Sequence, residues 1–305
     1  MIYDCFTFFN ELDILEFRLT LYAPYVDYFV ICECCKTQSG EQKEYNFEKN
    51  INKFKKWKSK IIYLKADCPP EINKSITDWS IEYYQRDFII QGLKNCAPED
   101  LIFISDIDEF WNPEILRNPK IFKIIHANFK KGKKTGLKQY KNIIQRHPYL
   151  LFSNKIDNFL NYFPLALQQD FFYYFMNYKK DEKWYGTIIS KFKNIHSIQE
   201  LRNSRQMMPF IAPPRRNKHI IRNIPTGWHF SYLGGKEKIK MKLKSIIEGD
   251  NLKTENLDLW IEDCLKNRKD LFGRSETDIS LIPIESIGIK EIEEIKKKYK
   301  YFFYE

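Results

Sequence analysis

Little in this sequence breaks or staples the chain. Eleven glycines and thirteen prolines in 305 residues exclude a collagen-like or low-complexity polymer. No Gly/Ser-rich or Pro-rich linker and no internal repeat divides it. The longest apolar runs, Leu101 to Ile104 and Phe171 to Met176, fall far short of the ~20 residues a membrane-spanning helix needs. Met1 leads straight into Ile2-Tyr3-Asp4-Cys5-Phe6 without a basic n-region or a small-residue cleavage site, so no leader peptide is expected. Seven cysteines are an odd number, scattered apart from Cys32, Cys34 and Cys35. They do not form a disulfide framework, and a reducing, cytoplasmic setting is expected.

Apolar and charged residues are plentiful. At 43% hydrophobic and 16% aromatic, the chain has enough apolar surface to offset its ordering entropy, which excludes a wholly disordered protein. Fifty Lys and Arg against forty Asp and Glu leave a net charge of +10. That balance favours anionic partners: phosphate-bearing small molecules, nucleic acid or acidic lipid surfaces.

Short β-branched or aromatic runs alternate with amphipathic stretches, the pattern of an α/β protein. Residues 2–9 read as a strand, and Asn10 as the cap of a helix with Leu12, Leu15, Leu19 and Tyr22 at helical spacing, stopped by Pro24. Strands follow over 27–33 and 61–65, then a helix over 79–93 and a strand over 101–105 that ends in Asp106-Ile107-Asp108-Glu109. Asn112-Pro113-Glu114 predicts a helix start, with the helix running towards Lys130. A basic loop over 130–138, strands at 165–176 and 186–193, and a short helix at 197–203 come next. The Pro-rich stretch 204–218, with Arg215 and Arg216, reads as a mobile loop. Gly227 to Tyr232 is a strand closed by Gly234-Gly235, and the remainder reads as helical over 235–248, 254–268 and 288–300.

The chemistry concentrates at Asp106-Ile107-Asp108. Residues two apart in a strand share a face, and where a strand ends both carboxylates can converge on one cation. Two hard oxygen donors suit Mg²⁺ or Mn²⁺, which leave positions for phosphate oxygens. Open α/β sheets bind ligands beyond the carboxyl ends of their strands. The alternative is a pair of solvated turn aspartates. His229, between Trp228 and Phe230, is by itself a core histidine, although Gly227 would permit a close backbone approach.

Ser105-Asp106-Ile107-Asp108-Glu109 resembles the metal-binding motif of nucleotide-sugar-dependent glycosyltransferases. The chain more narrowly resembles glycosyltransferase family 17, through Asp13, Leu15 and Arg18, through Val26 to Glu33, through Trp79, Glu82 and Arg86, and through Gly227-Trp228-His229-Phe230-Ser231. Phe110-Trp111 stands where the family has Ile-Pro. The resemblance implies a GT-A-like (Rossmann-related) mixed α/β sheet flanked by helices over residues 1–235, with a helical C-terminal extension over 236–305 packed on the same domain. It implies a metal-dependent, inverting transfer of a sugar from a nucleotide-sugar donor, a UDP-sugar, to a glycan acceptor. Asp106, Asp108 and His229 would hold Mn²⁺ or Mg²⁺, with Asp106 also touching the donor. Phe8, Glu33 and the Thr37–Gly40 loop would lie by the base and ribose. Arg86, Lys242 and Lys236 would face phosphates, against the plainer readings of an Arg86–Glu82 helix pair, a strand-end acid at Glu33 and solvated lysines.

An inverting transfer needs a carboxylate to take the acceptor proton. Glu109 and Asp170 are the candidates, with Glu200 behind them; Asp170 stands among Phe171 to Tyr174, where desolvation would make it a better base. Tyr173, Tyr174, Trp184 and Tyr185 suit sugar stacking or core packing. The Cys32-x-Cys34-Cys35 group lacks a partner pair at zinc spacing. The lysine runs at 53–60 and 130–138 read as solvated faces, and the Asn73-Lys74-Ser75 sequon carries no weight without a secretory signal. Two other functions compete: a metal-dependent nucleotidyl or phosphoryl transferase, and a basic nucleic-acid-binding protein. The forty interspersed acids and the lack of a nucleic-acid motif count against the latter. No nucleic acid is expected as partner, and contact with a membrane surface stays open.

Overall fold

A computed structural model describes residues 1–68, 79–126, 142–206 except Asn154, 208–214, 224–246 and 279–305, together with Gly249, Leu252, Thr254 and 256–274. The basic loop expected at 130–138, Arg215 and Arg216 with much of their loop, and the Asn73 sequon lie outside these residues.

The strands are β1 (Ile2–Phe8), β2 (Tyr28–Cys34), β3 (Ile61–Ala66), β4 (Leu101–Asp106), β5 (Glu109–Trp111), β6 (Lys123–Ile125), β7 (Leu165–Tyr173), β8 (Tyr178–Lys191), β9 (Phe210–Ala212), β10 (Gly227–Ser231) and β11 (Ile279–Leu281). They form one mixed sheet of order β3-β2-β1-β4-β8-β7-β10-β5, with β11 on β8 and the β6–β9 pair on β7. The β3-β2-β1-β4 half is parallel; β1, β2 and β4 are buried on both faces, and the edge strand β3 is half-buried. Phe6, Phe8, Phe29, Ile31 and Phe103 enter one apolar cluster, whereas Tyr3, Cys5, Val30, Cys32, Ile102 and Ile104 enter another on the opposite face. This period-two division explains why the strands read as continuous apolar runs.

Among the described residues, the α-helices of seven or more residues are α1 (Leu12–Tyr22), α2 (Ser80–Phe88), α3 (Ile198–Ser204), α4 (Lys236–Ser245), α5 (Leu257–Asn267) and α6 (Ile292–Lys298). α1 is not capped by Asn10; Glu11 is its N-cap residue, and the Glu11 carboxylate turns back onto the backbone N–H groups of Phe9 and Asn10. The helix expected from Glu114 towards Lys130 ends at Arg117, because Pro119 lacks the N–H to continue it. Lys123–Ile125 then becomes a strand paired with β9. β8 begins at Tyr178 rather than 186, so the charged run Lys179 to Lys183 belongs to a long hairpin with β7. The C-terminal part is not wholly helical: β11 adds to the sheet beside Tyr178 to Lys180.

β4 and β5 are separated by Ile107 and Asp108 alone, yet β8, β7 and β10 stand between them in the sheet. Four strand spacings would place them about 19 Å apart in a flat sheet. Three residue steps reach at most ~11 Å. The sheet therefore curls back on itself here, and the two-residue turn is held from both sides. Among the described residues, no helix is long and apolar enough to cross a membrane.

Candidate active site

The Asp106–Glu109 turn is built by buried groups from distant parts of the chain. Arg18 sits on the apolar stripe of α1, in step with Leu15, Leu19 and Tyr22, and is fully buried. Its Nε and Nη2 donate to both oxygens of Asp4 at 2.7 Å, and Nη2 also donates to Ser105 Oγ at 2.6 Å. Nη1 donates to the main-chain carbonyls of Asp106, Ile107 and Glu109 at 3.2, 3.1 and 2.7 Å. Asp4 also accepts from Trp111 Nε1 at 3.1 Å. The Phe110-Trp111 departure thus forms β5 and locks it to β1.

Arg202, on α3, is the second clamp. It donates to Asp106 Oδ2 at 2.7 Å, to Glu109 Oε2 and Oε1 at 2.8 and 3.0 Å, and to the Gly186 carbonyl. Arg86, on α2, holds Asp106 with contacts of 3.0 to 3.3 Å and also pairs with Glu82. Burial opposes ionisation of Asp106, but Arg202 and Arg86 outweigh it and hold the carboxyl below the usual carboxylate range. Burial likewise disfavours charge on Arg202, and Asp106 and Glu109 reverse that effect.

Asp108 has a different set of partners. Its main-chain carbonyl accepts from the Phe230 N–H at 2.9 Å, tying the turn to β10. Lys242 Nζ donates to Oδ2 at 2.9 Å, and His229 Nε2 lies 3.6 Å from Oδ1. Burial opposes ionisation of Asp108 too, yet Lys242 and His229 hold it well below the usual range. His229 stacks on Phe171 at 4.8 Å and packs against Trp184 at 4.5 Å, and those two rings lie 5.5 Å from each other. Its buried Nδ1 has no hydrogen-bond partner among the described residues. Gly227 provides the close approach expected of it: a Cβ there would overlap the Phe110 carbonyl oxygen.

The remaining predicted residues fall into two groups. Lys242 and Arg86 join the carboxylate turn. Glu109 does as well, but it is fully buried and saturated, accepting from Arg202, Trp184 Nε1 at 2.7 Å and the Asp106 N–H at 2.9 Å. Such a carboxylate organises the turn. Glu33 is buried and accepts from Lys43, Tyr63 and the N–H groups of Asn46 and Phe47, closing the start of the short helix Asn46–Lys49. Phe8 is a core residue packed edge-on to Phe47. Asp170 is buried with Lys179 at 2.6 Å and with Lys183 on its carboxylate. Glu200 is exposed on α3, and Lys236 is paired with Glu262 at 2.6 Å. Tyr173 and Tyr174 are buried, whereas Trp184 lines the site.

Among the described residues, no group of three or more His, Cys, Asp and Glu is arranged to hold a metal ion. Asp108 and His229 do suit a divalent cation as a carboxylate–imidazole pair. The unpartnered Nδ1 and the Nε2 facing Asp108 mark an imidazole whose ring is placed by stacking rather than by hydrogen bonds. Both Asp106 oxygens are engaged by guanidinium groups. A crevice of about 40 Å³ borders Asp108, lined by Asn10, Glu11, Asp13, Tyr232 and Lys242 among others. A larger hollow of about 950 Å³ lies between α1 and α6. None of Asp106, Asp108 and His229 lines it.

Residues 1–131 match the family model described as "Glycosyltransferase family 17". Over 106 residues the chain is 30% identical to the human β-1,4-mannosyl-glycoprotein 4-β-N-acetylglucosaminyltransferase, an alignment of 33% of this chain and 20% of the relative. The rat and mouse proteins of the same name align over the same shares at 30% and 29% identity. The aligned part thus spans about a fifth of the length of these curated relatives. The stretch that supplies Arg18, Arg86 and the whole Asp106–Glu109 turn is, by this match, similar to glycosyltransferase family 17.

Proposed function

We infer that this chain is a glycosyltransferase that moves a sugar from a nucleotide-sugar donor, a UDP-sugar, to a glycan acceptor with inversion. The observation that carries this reading is the turn beyond β4, where Asp108, inside the stretch that resembles family 17, faces His229 and Lys242 from further along the chain. In a GT-A-like arrangement, Asp108 and His229 would hold Mn²⁺ or Mg²⁺, and the ion would neutralise charge developing on the diphosphate leaving group. Asp106 stands beside them and would meet the ribose or the ion by exchanging part of its guanidinium contacts. Lys242 and Arg86 supply further positive charge for phosphates. Glu109 has no exposed surface and no spare acceptor oxygen, and Asp170 is buried with one lysine on each carboxylate oxygen, so neither is singled out as the base.

The test is product analysis with UDP-, GDP- and CMP-sugars, with and without Mn²⁺. Sugar transfer releases UDP or GDP, or CMP from a CMP-sugar, and Asp108→Asn should lower the rate at least 100-fold while the protein still melts cooperatively. Release of sugar 1-phosphate from a UDP- or GDP-sugar would instead identify a nucleotidyl transferase. Full activity in Asp108→Asn would overturn the assignment.

A further inference from the structure

We propose that Lys242 is a tethered cation that occupies the seat of the divalent ion at Asp108, and that it transfers to the donor diphosphate when the ion enters. This rests on the glycosyltransferase reading and goes beyond it by coupling ion and donor binding through one side chain.

Lys242 Nζ donates to Asp108 Oδ2 at 2.9 Å and lies 5.0 Å from the centre of the Tyr232 ring. The Asp108 side chain is 9% exposed and that of Lys242 31%. The carboxylate is therefore fixed and enclosed, whereas the ammonium rides on a flexible four-carbon stem with water beside it. The crevice they share, about 40 Å³, has room for a water or an ion. A nucleotide site needs several hundred Å³, so the arm that fills the crevice must swing aside to admit the donor.

Charge sets the order of events. Asp108 and Lys242 together are neutral. A divalent ion on Asp108 would face an ammonium within a few ångströms, in surroundings that screen poorly, so ammonium and ion exclude one another from the same oxygens. Once displaced, Lys242 adds a positive charge to that of the ion, and a diphosphate is the partner that neutralises both. Glu11 and Asp13, which line the same crevice, offer interim partners. Ion and nucleotide binding are then coupled, each favouring the other.

The experiment titrates Mn²⁺ into the full chain by electron paramagnetic resonance, without and with saturating UDP. The proteins are the wild type, Lys242→Met, Lys242→Gln and the control Lys236→Met. Removing Lys242 should tighten Mn²⁺ binding about tenfold in the absence of UDP and weaken UDP binding about tenfold in its presence. Lys236→Met should change neither. Lys242 in the wild type, followed by reductive methylation and mass spectrometry, should gain reactivity on adding Mn²⁺ and lose it on adding UDP. Folded variants that bind Mn²⁺ no more tightly than the wild type, or methylation unaltered by Mn²⁺, would overturn the exchange while leaving the glycosyltransferase reading intact. A wild type that binds no Mn²⁺ even with UDP would overturn the exchange and the metal-dependent reading together.

Discussion

Replacing Arg18 with Met should be among the most costly single changes in this protein. The guanidinium is fully buried and makes six hydrogen bonds: three to Asp4 and Ser105, and three to the carbonyls of the carboxylate turn. Met fills much of the same volume, so the loss falls on what is stranded. Asp4 keeps only the Trp111 N–H, and three buried carbonyls lose their donor. Breaking a buried pair from one side costs about 3–5 kcal/mol. Unfolding entropy of about 2 cal/mol/K per residue, over this chain, makes that a drop of roughly 5–8 °C in melting temperature. Denaturant unfolding and calorimetry measure it. Asp4→Leu combined with Arg18→Met should recover at least half the loss, since apolar groups often replace a buried pair at little cost. A fall below about 1 kcal/mol in the single variant, or strictly additive losses in the double, would refute the clamp.

Gly186→Ala should act on the other side of the turn. A Cβ there overlaps the Glu109 carboxyl and the Trp184 indole, so we expect a loss of about 1–3 kcal/mol by overpacking, with weaker donor binding in a calorimetric titration. Acid should weaken the fold in a defined window. Asp106 and Asp108 are both held below the usual carboxylate range, so the unfolded chain takes up protons first. Their contribution is complete above about pH 4, near the unfolded value, and is lost as pH falls through the folded values. Denaturation midpoints between pH 7 and pH 3 should show a decline below pH 4 that is shallower in Asp106→Asn; equal slopes would remove these carboxylates from the acid response. Glu33→Ala should cost about 1.5–3 kcal/mol as the start of helix Asn46–Lys49 loses its acceptor, read as a lower denaturation midpoint.

The parallel strands β1, β2 and β4 were legible because burial on both faces writes them as unbroken apolar runs, and the carboxylate turn was legible because two acids follow such a run directly. β5 was not, since three residues carry no period. Lys179 to Lys183 falls outside the expected strands because its charges, which face Asp170, Asp270 and solvent, hide the alternation. Arg202 went unnoticed for a more instructive reason. An arginine in a helix suggests the surface, yet Ser197 caps Glu200 N–H, which sets Ile198, Leu201 and Arg202 at i, i+3 and i+4 on one buried face. Arg18 has the same signature among Leu15, Leu19 and Tyr22. A cation on an apolar stripe signals a buried acid elsewhere, although the sequence does not say which acid. Glu33 misled in the opposite way: its partners lie thirteen and fourteen residues on, in a segment with no capping pattern of its own.

The two-residue link between β4 and β5 also bears on how such a chain can diverge. Surface connections usually lengthen and shorten freely, and families explore new substrates by doing so. One residue added between Asp106 and Glu109 would reverse which side chains of β5 point inward and break the closure against β10. The length of this link has almost no latitude, so variation in what the protein accepts has to enter through the longer connections around it.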